Sequence, residues 1–181
     1  MKAKLLEWDS VFFKKKVGEV AFLKDEILED MEGFDLLYVR QTDDEPFEID
    51  HFRQTYTETK VIFSKTLSKN NELIDNCIFS VFDIDICKEQ IYNLAFESGK
   101  FSRFKLDENF KVHEFEELYK IWVDNSLNKK FADNMLVFKQ NDTILGFVTY
   151  KIFENYAAIG LIATALKMQG TGIGSKLIQA V

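Results

Sequence analysis

The sequence predicts a mixed α/β protein of the α+β kind, because strand-like and helix-like patterns alternate along most of its 181 residues. The clearest helix signal is an apolar stripe at helical spacing within 112–128. A hairpin pattern followed by a further strand covers 135–164. A glycine-rich turn then joins that strand to a last amphipathic helix. These three signals together predict helices packed on an antiparallel sheet.

Composition and charge favour an ordered, globular protein. Hydrophobic residues make up 46% of the chain, which has one proline and 18 phenylalanines, as expected where a sizeable core is buried. The formal net charge of −7 argues against binding nucleic acid through a basic surface. The chain has two isolated cysteines and shows neither a signal-peptide pattern nor a membrane-spanning apolar run. We therefore expect a soluble cytoplasmic protein that binds neither membrane nor metal.

Residues 1–100 are expected to form a smaller N-terminal α/β module. Alternating β-branched and aromatic residues, or short continuous apolar runs, predict strands here. The predicted strands are Val17–Leu23, Phe34–Arg40, Thr57–Leu67 and Asn76–Ile86. The predicted helices are Asp25–Glu32, Phe47–Tyr56 and Cys87–Ser98. Gly33 follows the first of these helices, at a position where glycine commonly ends a helix.

A second module, residues 101–181, is expected to begin after a break in the pattern around 99–109. Its first element is the helix Val112–Asn128, whose apolar residues form one stripe while most of its charged residues lie off that stripe. Three strands are predicted next, the first two of them joined as a hairpin. These strands are Met135–Lys139, Thr143–Phe153 and Ala157–Thr164.

The turn Gln169-Gly170-Thr171-Gly172-Ile173-Gly174-Ser175 carries the strongest functional signal. Glycines between a strand and a helix leave backbone N–H groups accessible to an anion, at the positive end of the helix dipole. Spacing excludes two common phosphate motifs. Ser175 stands where a dinucleotide fingerprint needs its third glycine, and also where a P-loop needs the glycine before its lysine. A glycine-rich turn that binds no ligand is the alternative.

The order Gln-x-x-Gly-x-Gly, found here from Gln169 to Gly174, resembles the acyl-CoA signature of the GNAT acetyltransferases. The resemblance implies that the preceding strand pairs with the pantetheine arm of acetyl-CoA and that amides of the turn hold the pyrophosphate. It also implies that the backbone N–H of Leu161 or Ile162 polarises the thioester carbonyl. The cofactor-binding residues implied are Leu161, Ile162, Ala163, Gln169, Gly170, Thr171, Gly172, Ile173, Gly174 and Ser175.

Further segments resemble one group within that family, the TDP-fucosamine acetyltransferases, which acetylate the 4-amino group of a nucleotide-linked aminodeoxy sugar. The segments concerned are Trp8–Phe13, Ser102–Phe104, Leu118–Leu127, Phe131–Asp133, Ile144–Thr149 and Ile159–Ala163. This resemblance implies a GNAT-like acyl-CoA acetyltransferase fold, acetyl-CoA as cosubstrate and a small-molecule amine or nucleotide sugar as acceptor. A catalytically inactive GNAT-like protein with a binding or interaction role is the alternative.

Members of that family continue beyond the helix that follows the glycine turn, so the resemblance implies a truncated fold. The tyrosine that acts as general acid is then expected beyond Val181, and no catalytic residue is predicted within the chain. The sheet would end in an exposed edge of unpaired backbone groups. We therefore expect a homo-oligomer or a swapped dimer formed through this C-terminal edge.

Three residues are candidates for binding the acceptor, and each has a structural alternative. Arg103 would contact the diphosphate of a nucleotide sugar, or else pair with the acidic stretch within residues 24–50. Asn125 would meet the amine, or else cap the end of the long helix. Tyr150 would flank the amine, or else pack in the core. The sequence does not assign the general base, for which Glu154 is the one candidate.

Overall fold

The computed structural model describes residues 2–22, 31–42, 46–66 and 75–181. Its contacts divide the chain into two compact units, Met1–Thr55 and Tyr56–Val181. This division differs from the modules expected on either side of residue 100. The difference arises because helix α2, Lys88–Ser98, packs against two strands of the C-terminal sheet and so belongs to the larger unit.

In its described part, the smaller unit holds a three-stranded sheet and a short helix. Strand β2 pairs antiparallel with β1 and parallel with β3. A left-handed Lys14, with φ 52°, ends the helix and lets Val17 enter the sheet fully buried. The elements are β1 Lys4–Leu5, α1 Glu7–Phe13, β2 Val17–Ala21 and β3 Leu36–Arg40. The two strands predicted here are thus confirmed in shorter form, and most of the helix predicted at Asp25–Glu32 lies outside the described residues.

Two predictions for the middle of the chain are wrong. The helix predicted at Phe47–Tyr56 is absent from the described segment 46–66, because His51 adopts a left-handed φ of 67° that no α-helix accommodates. The described part of the strand predicted at Thr57–Leu67 forms no ladder either, and Phe63 is almost fully exposed. An alternating pattern yields a strand only where a neighbouring strand supplies hydrogen bonds.

The larger unit is built on a four-stranded antiparallel sheet in the order β4-β5-β6-β7. The two long strands form the predicted hairpin, with Asn141 at φ 52° in its turn. The strands are β4 Ile78–Ser80, β5 Asn134–Gln140, β6 Thr143–Ile152 and β7 Ala157–Thr164. The last three confirm the predicted strands to within one residue at each end, whereas only three residues of the strand predicted at Asn76–Ile86 form a ladder.

Helices cover this sheet on both faces. The predicted helices at Cys87–Ser98 and Val112–Asn128 are confirmed, and they pack against each other and on the sheet. The helices are α2 Lys88–Ser98, α3 Arg103–Leu106, α4 Val112–Leu127 and α5 Ile173–Gln179. Helix α5 buries Ile173 and Leu177 against the face that carries Leu136 and Val148. Since strand residues alternate between faces, the neighbouring Met135 and Phe147 are buried on the opposite face.

Glycine at position 146 allows α5 to approach β6 closely. A Cβ atom there would lie 3.0 Å from Ile173 Cγ2 and 3.1 Å from Leu177 Cδ1. This close packing fixes where the helix begins, and therefore where the glycine turn stands relative to the end of β7. Among the described residues, no helix has both the length and the hydropathy that crossing a bilayer requires.

Candidate functional site

Strand β7 carries a bulge opposite Thr149. The register pairs Val148 with Ile162 and Tyr150 with Ile159, so Gly160 and Leu161 together face Thr149. The N–H of Leu161 donates to Thr149 Oγ1 at 2.8 Å. A Cβ atom on residue 160 would lie 2.9 Å from that hydroxyl, so glycine makes room for it. The bulge therefore depends on a buried hydroxyl in β6 and a glycine in β7.

Beyond the bulge, the backbone groups of Ile162 and Thr164 face away from β6. Just past the strand, the N–H of Ala165 donates to the carbonyl of Leu145 at 2.8 Å. In an antiparallel ladder alternate residues direct their N–H and C=O groups toward the partner strand. The register continues without a break from Leu145 to Val148. The N–H and C=O groups of Ala163 therefore point toward β6, and those of Ile162 and Thr164 point to the other side. In the part of the chain that the structure describes, β7 is the end strand, so these groups form an open edge.

Two adjoining cavities lie along this edge. The first, of about 360 Å³, is lined by Glu97, Ser98, Lys100, Phe101, Ile162, Ala163, Thr164 and Gln169. The second, of about 330 Å³, is lined by Thr164, Met168, Gln169, Gly170, Gly172, Ile173, Gly174 and Ser175. Ile162, Ala163 and Thr164 all line the first cavity. Because successive side chains of a strand point to opposite faces, a cavity that touches all three must lie along the edge of the strand. Because Thr164 and Gln169 belong to both, the cavities form one groove, which we call the edge groove.

The glycine turn leaves a bare backbone surface at one end of the edge groove. Gly170 and Gly172 have φ of +80° and +87°, which side-chain-bearing residues rarely adopt. A Cβ atom on either would meet nothing within 4 Å, so a side chain there would project into open space. Gly172 is the residue before α5, and the N–H groups of the first helical turn have no partner within the helix. This surface can accept an anion from the side of the groove.

The other end of the edge groove is formed by charged side chains from α2 and the segment after it. Glu97 accepts hydrogen bonds from Lys100 Nζ and, at 3.3 Å, from Gln169 Nε2, both on its Oε1 atom. The ammonium of Lys100 also lies 5.1 Å from the centre of the Phe101 ring. A carboxylate at the end of α2 is thereby joined to the first residue of the glycine turn.

Eight of the ten residues implied as cofactor-binding line the edge groove. The other two are Leu161 and Thr171. The N–H of Leu161 is directed at Thr149, and the hydroxyl of Thr171 donates to the Met168 carbonyl at 2.7 Å. Of the two alternative donors to the thioester carbonyl, only Ile162 therefore has its N–H on the open edge.

The three candidates for acceptor binding line neither cavity. Asn125 and Tyr150 have the contacts of their structural alternatives, whereas Arg103 pairs with a glutamate outside the acidic stretch 24–50. Arg103 Nη1 pairs with Glu58 Oε1 at 2.6 Å. The carbonyl of Asn125 accepts hydrogen bonds from the N–H groups of Lys130 and Phe131, at 2.8 and 3.2 Å, just after the end of α4. Tyr150 packs against the cluster under α5, with its hydroxyl 3.4 Å from Asn134 Nδ2. Glu154 is exposed in the β6–β7 turn, at the end of β7 remote from the glycines.

The sequence interpretation missed the residues that α2 and its following segment bring to the edge groove, namely Glu97, Ser98, Lys100 and Phe101. It also missed Thr164 and Met168. Thr164 ends a strand that was correctly predicted, and that position was a usable signal. Nothing local marks the residues near Glu97, because 72 positions separate Glu97 from Gln169.

The lysine close to the glycine turn, Lys176, forms an ion pair. Lys176 in α5 pairs with Asp75 at 2.8 Å, and this hydrogen bond raises the pKa of the lysine and lowers the pKa of the aspartate. Lys176 lines neither cavity. Within the described residues no cluster of His, Cys, Asp and Glu could hold a metal ion.

The bulged end strand thus leads through a bare glycine turn into a helix, which places an anion-accepting backbone surface beside an open strand edge. The family model for the acetyltransferase (GNAT) family matches residues 89–181, more than half of the chain. The protein belongs to the GNAT acetyltransferase family.

The chain also matches several solved structures. One of them is a protein from Desulfovibrio desulfuricans whose description assigns it to the GNAT acetyltransferases, and it matches with 17% sequence identity and a TM-score of 0.38. The alignment covers 57% of this chain and 60% of that one, so it spans less than two thirds of the neighbour's length. No curated protein matches the chain.

Proposed function

We propose that this protein transfers an acetyl group from acetyl-CoA to a primary amine. The observation that carries the proposal is the edge groove, which joins an open strand edge to a bare glycine turn. GNAT acetyltransferases use acetyl-CoA, and the groove offers backbone donors and acceptors of the kind that a phosphate and an amide-containing arm require.

Each end of the groove suits a different part of acetyl-CoA. The first-turn N–H groups of α5 would hold the pyrophosphate, because they are unpaired within the helix and lie at its positive end. The outward C=O of Ile162 and the outward N–H and C=O groups of Thr164 would pair with the amides of the pantetheine arm, as one strand pairs with another, which leaves the N–H of Ile162 for the thioester. The thioester would then lie in the first cavity, where the N–H of Ile162 can polarise its carbonyl.

The acceptor is proposed from the sequence resemblance alone. The TDP-fucosamine acetyltransferases suggest the 4-amino group of a nucleotide-linked aminodeoxy sugar. Arg103 offers no support for diphosphate binding, since its guanidinium pairs with Glu58. A small primary amine is therefore the substrate class that we propose, with the aminosugar as the first to be assayed.

The proposal is tested by titrating the protein with acetyl-CoA in a calorimeter and by following thiol release with candidate amines. We expect saturable 1:1 binding, and release of one free thiol for each amide formed. Absence of acetyl-CoA binding would refute the proposal. Binding without transfer to any amine in a panel that includes TDP-4-aminosugars would favour the alternative of an inactive GNAT-like protein.

A further inference from the structure

We propose that Glu97 is the carboxylate that recognises the acceptor amine: it binds the acceptor as an ammonium ion and takes a proton from it. This inference rests on the proposed function, because it supposes that the thioester lies in the first cavity of the edge groove.

The position of Glu97 carries the first part of the argument. Glu97 is the next-to-last residue of α2 and lines the cavity together with Ile162, whose N–H lies on the open edge. Its side chain is 24% exposed, so it is mostly shielded from water but open to the groove. It is the one acidic residue among those that line either described cavity.

The present partner of Glu97 indicates the chemistry of the ligand. Lys100 already places a primary ammonium on Glu97 Oε1, and that lysine is itself 34% exposed on a flexible stem. An acceptor with a primary ammonium offers the same donor group and can take its place. Gln169 Nε2 donates a hydrogen bond to the same oxygen at 3.3 Å. This bond orients the carboxylate of Glu97 toward the glycine turn.

The reaction that this arrangement supports is balanced. Glu97 accepts one proton from the bound ammonium, which leaves a neutral amine. The amine nitrogen forms a bond to the thioester carbonyl carbon, the carbon–sulfur bond breaks, and a second nitrogen proton passes to the departing sulfur. The products are an amide and the thiol of CoA, and Glu97 returns its proton to water.

The test compares two thioethers of CoA that differ only at the end of the tail. S-(2-aminoethyl)-CoA ends in an ammonium, whereas S-propyl-CoA has the same length and no charge. We expect the protein to bind the first about tenfold more tightly, as one charge-assisted hydrogen bond provides. Glu97→Gln should abolish this preference and leave the affinity for CoA itself unchanged.

Two variants serve as controls. Glu89→Gln removes a carboxylate from the same helix at a residue that lines neither cavity, and it should keep the preference. Lys100→Met removes the competing ammonium and should strengthen binding of the aminoethyl compound relative to the propyl compound.

The outcomes separate the two proposals. If CoA itself does not bind, the proposed function fails and this inference fails with it. If CoA binds and the two tails bind equally well, the inference alone is overturned. If Glu97→Gln weakens CoA and both tails to the same extent, Glu97 serves only to hold Gln169 and the glycine turn, and its assigned role is wrong.

Discussion

The two ends of the edge groove are built in different ways. At the glycine turn the surface is made of backbone, shaped by Gly170 and Gly172 at positive φ. At the other end it is made of the side chains of Glu97, Lys100 and Phe101. A backbone surface suits a ligand part that never changes, such as a pyrophosphate, whereas side chains suit the part that differs from one enzyme to another. This difference supports the proposal that the cofactor binds at the glycine turn and that the acceptor is chosen at the other end.

The largest expected effect tests the backbone end. Gly172→Asp would place a carboxylate in the open space beside the first turn of α5, where it would repel a phosphate and compete for the same N–H groups. We expect the affinity for acetyl-CoA, measured by calorimetry, to fall by about a hundredfold or more, that is by about 2.7 kcal/mol.

Gly172→Asn is the matched variant, because asparagine has nearly the same size as aspartate and also tolerates positive φ. It should lose much less affinity than the aspartate variant. Equal losses in the two variants would mean that backbone strain, and not charge, governs the effect, and the argument for a phosphate-binding turn would be lost.

The next effect tests the bulge that sets the open edge. Thr149 is buried and its hydroxyl accepts the N–H of Leu161. Thr149→Val keeps the shape but leaves that N–H without its acceptor, which we expect to lower the free energy of unfolding in urea by about 1–3 kcal/mol.

Gly160→Ala tests the same bulge from the other strand, since the added Cβ would lie 2.9 Å from Thr149 Oγ1. In the double variant with Thr149→Ala the hydroxyl is gone and the methyl group has room. The double variant should therefore be more stable than the sum of the two single effects predicts. Simple additivity would show that the two residues do not share the bulge.

The bulge also shows where local sequence stops being informative. Strands β5 to β7 could be predicted because apolar alternation is local and each strand has a neighbour from the same hairpin or the next turn. The strand predicted at Thr57–Leu67 failed because alternation does not say whether a partner exists. Gly160 within a strand pattern was the one local sign of a bulge, but its partner hydroxyl lies on another strand.

The same distinction holds for the edge groove. The glycine turn was predictable because seven consecutive residues encode its conformation. Glu97 was not, because its place in the groove depends on how α2 packs against β7. The helix predicted at Phe47–Tyr56 does not form for a third reason. The left-handed conformation of His51 is not revealed by the sequence pattern.

A smaller effect concerns Lys88 and Tyr92 in the first half of α2, which line neither cavity. Asp124 in α4 accepts hydrogen bonds from Lys88 at 2.9 Å and from Tyr92 at 2.8 Å. Partial burial opposes the charge of Asp124, but these two bonds outweigh it and hold its pKa below the ordinary 3.8. Burial, with the neighbouring carboxylate, raises the pKa of Tyr92 to about 12.

Because the pKa of Asp124 is lower in the folded state, its stabilising contribution is complete above the ordinary pKa and is lost as the pH falls through the lowered value. Asp124→Asn should therefore be less stable than the parent at neutral pH, by no more than about 1 kcal/mol since the pair is largely solvent-exposed. The difference, measured by urea unfolding, should shrink below the ordinary pKa. A stability difference between Asp124→Asn and the parent that grows on acidification would contradict this assignment. The substitution should leave the affinity for acetyl-CoA at neutral pH unchanged.

The smallest effect concerns self-association through the open edge of β7, which stays a prediction from the sequence. The outward groups of Ile162 and Thr164 cannot pair with a second chain and with a pantetheine arm at the same time. If both uses are real, saturating acetyl-CoA should shift the mass measured by light scattering toward the monomer. Desulfo-CoA, which keeps the same amides but has no thiol, should act equally well. An oligomer that persists unchanged under both ligands would place its interface elsewhere and leave the edge to the cofactor.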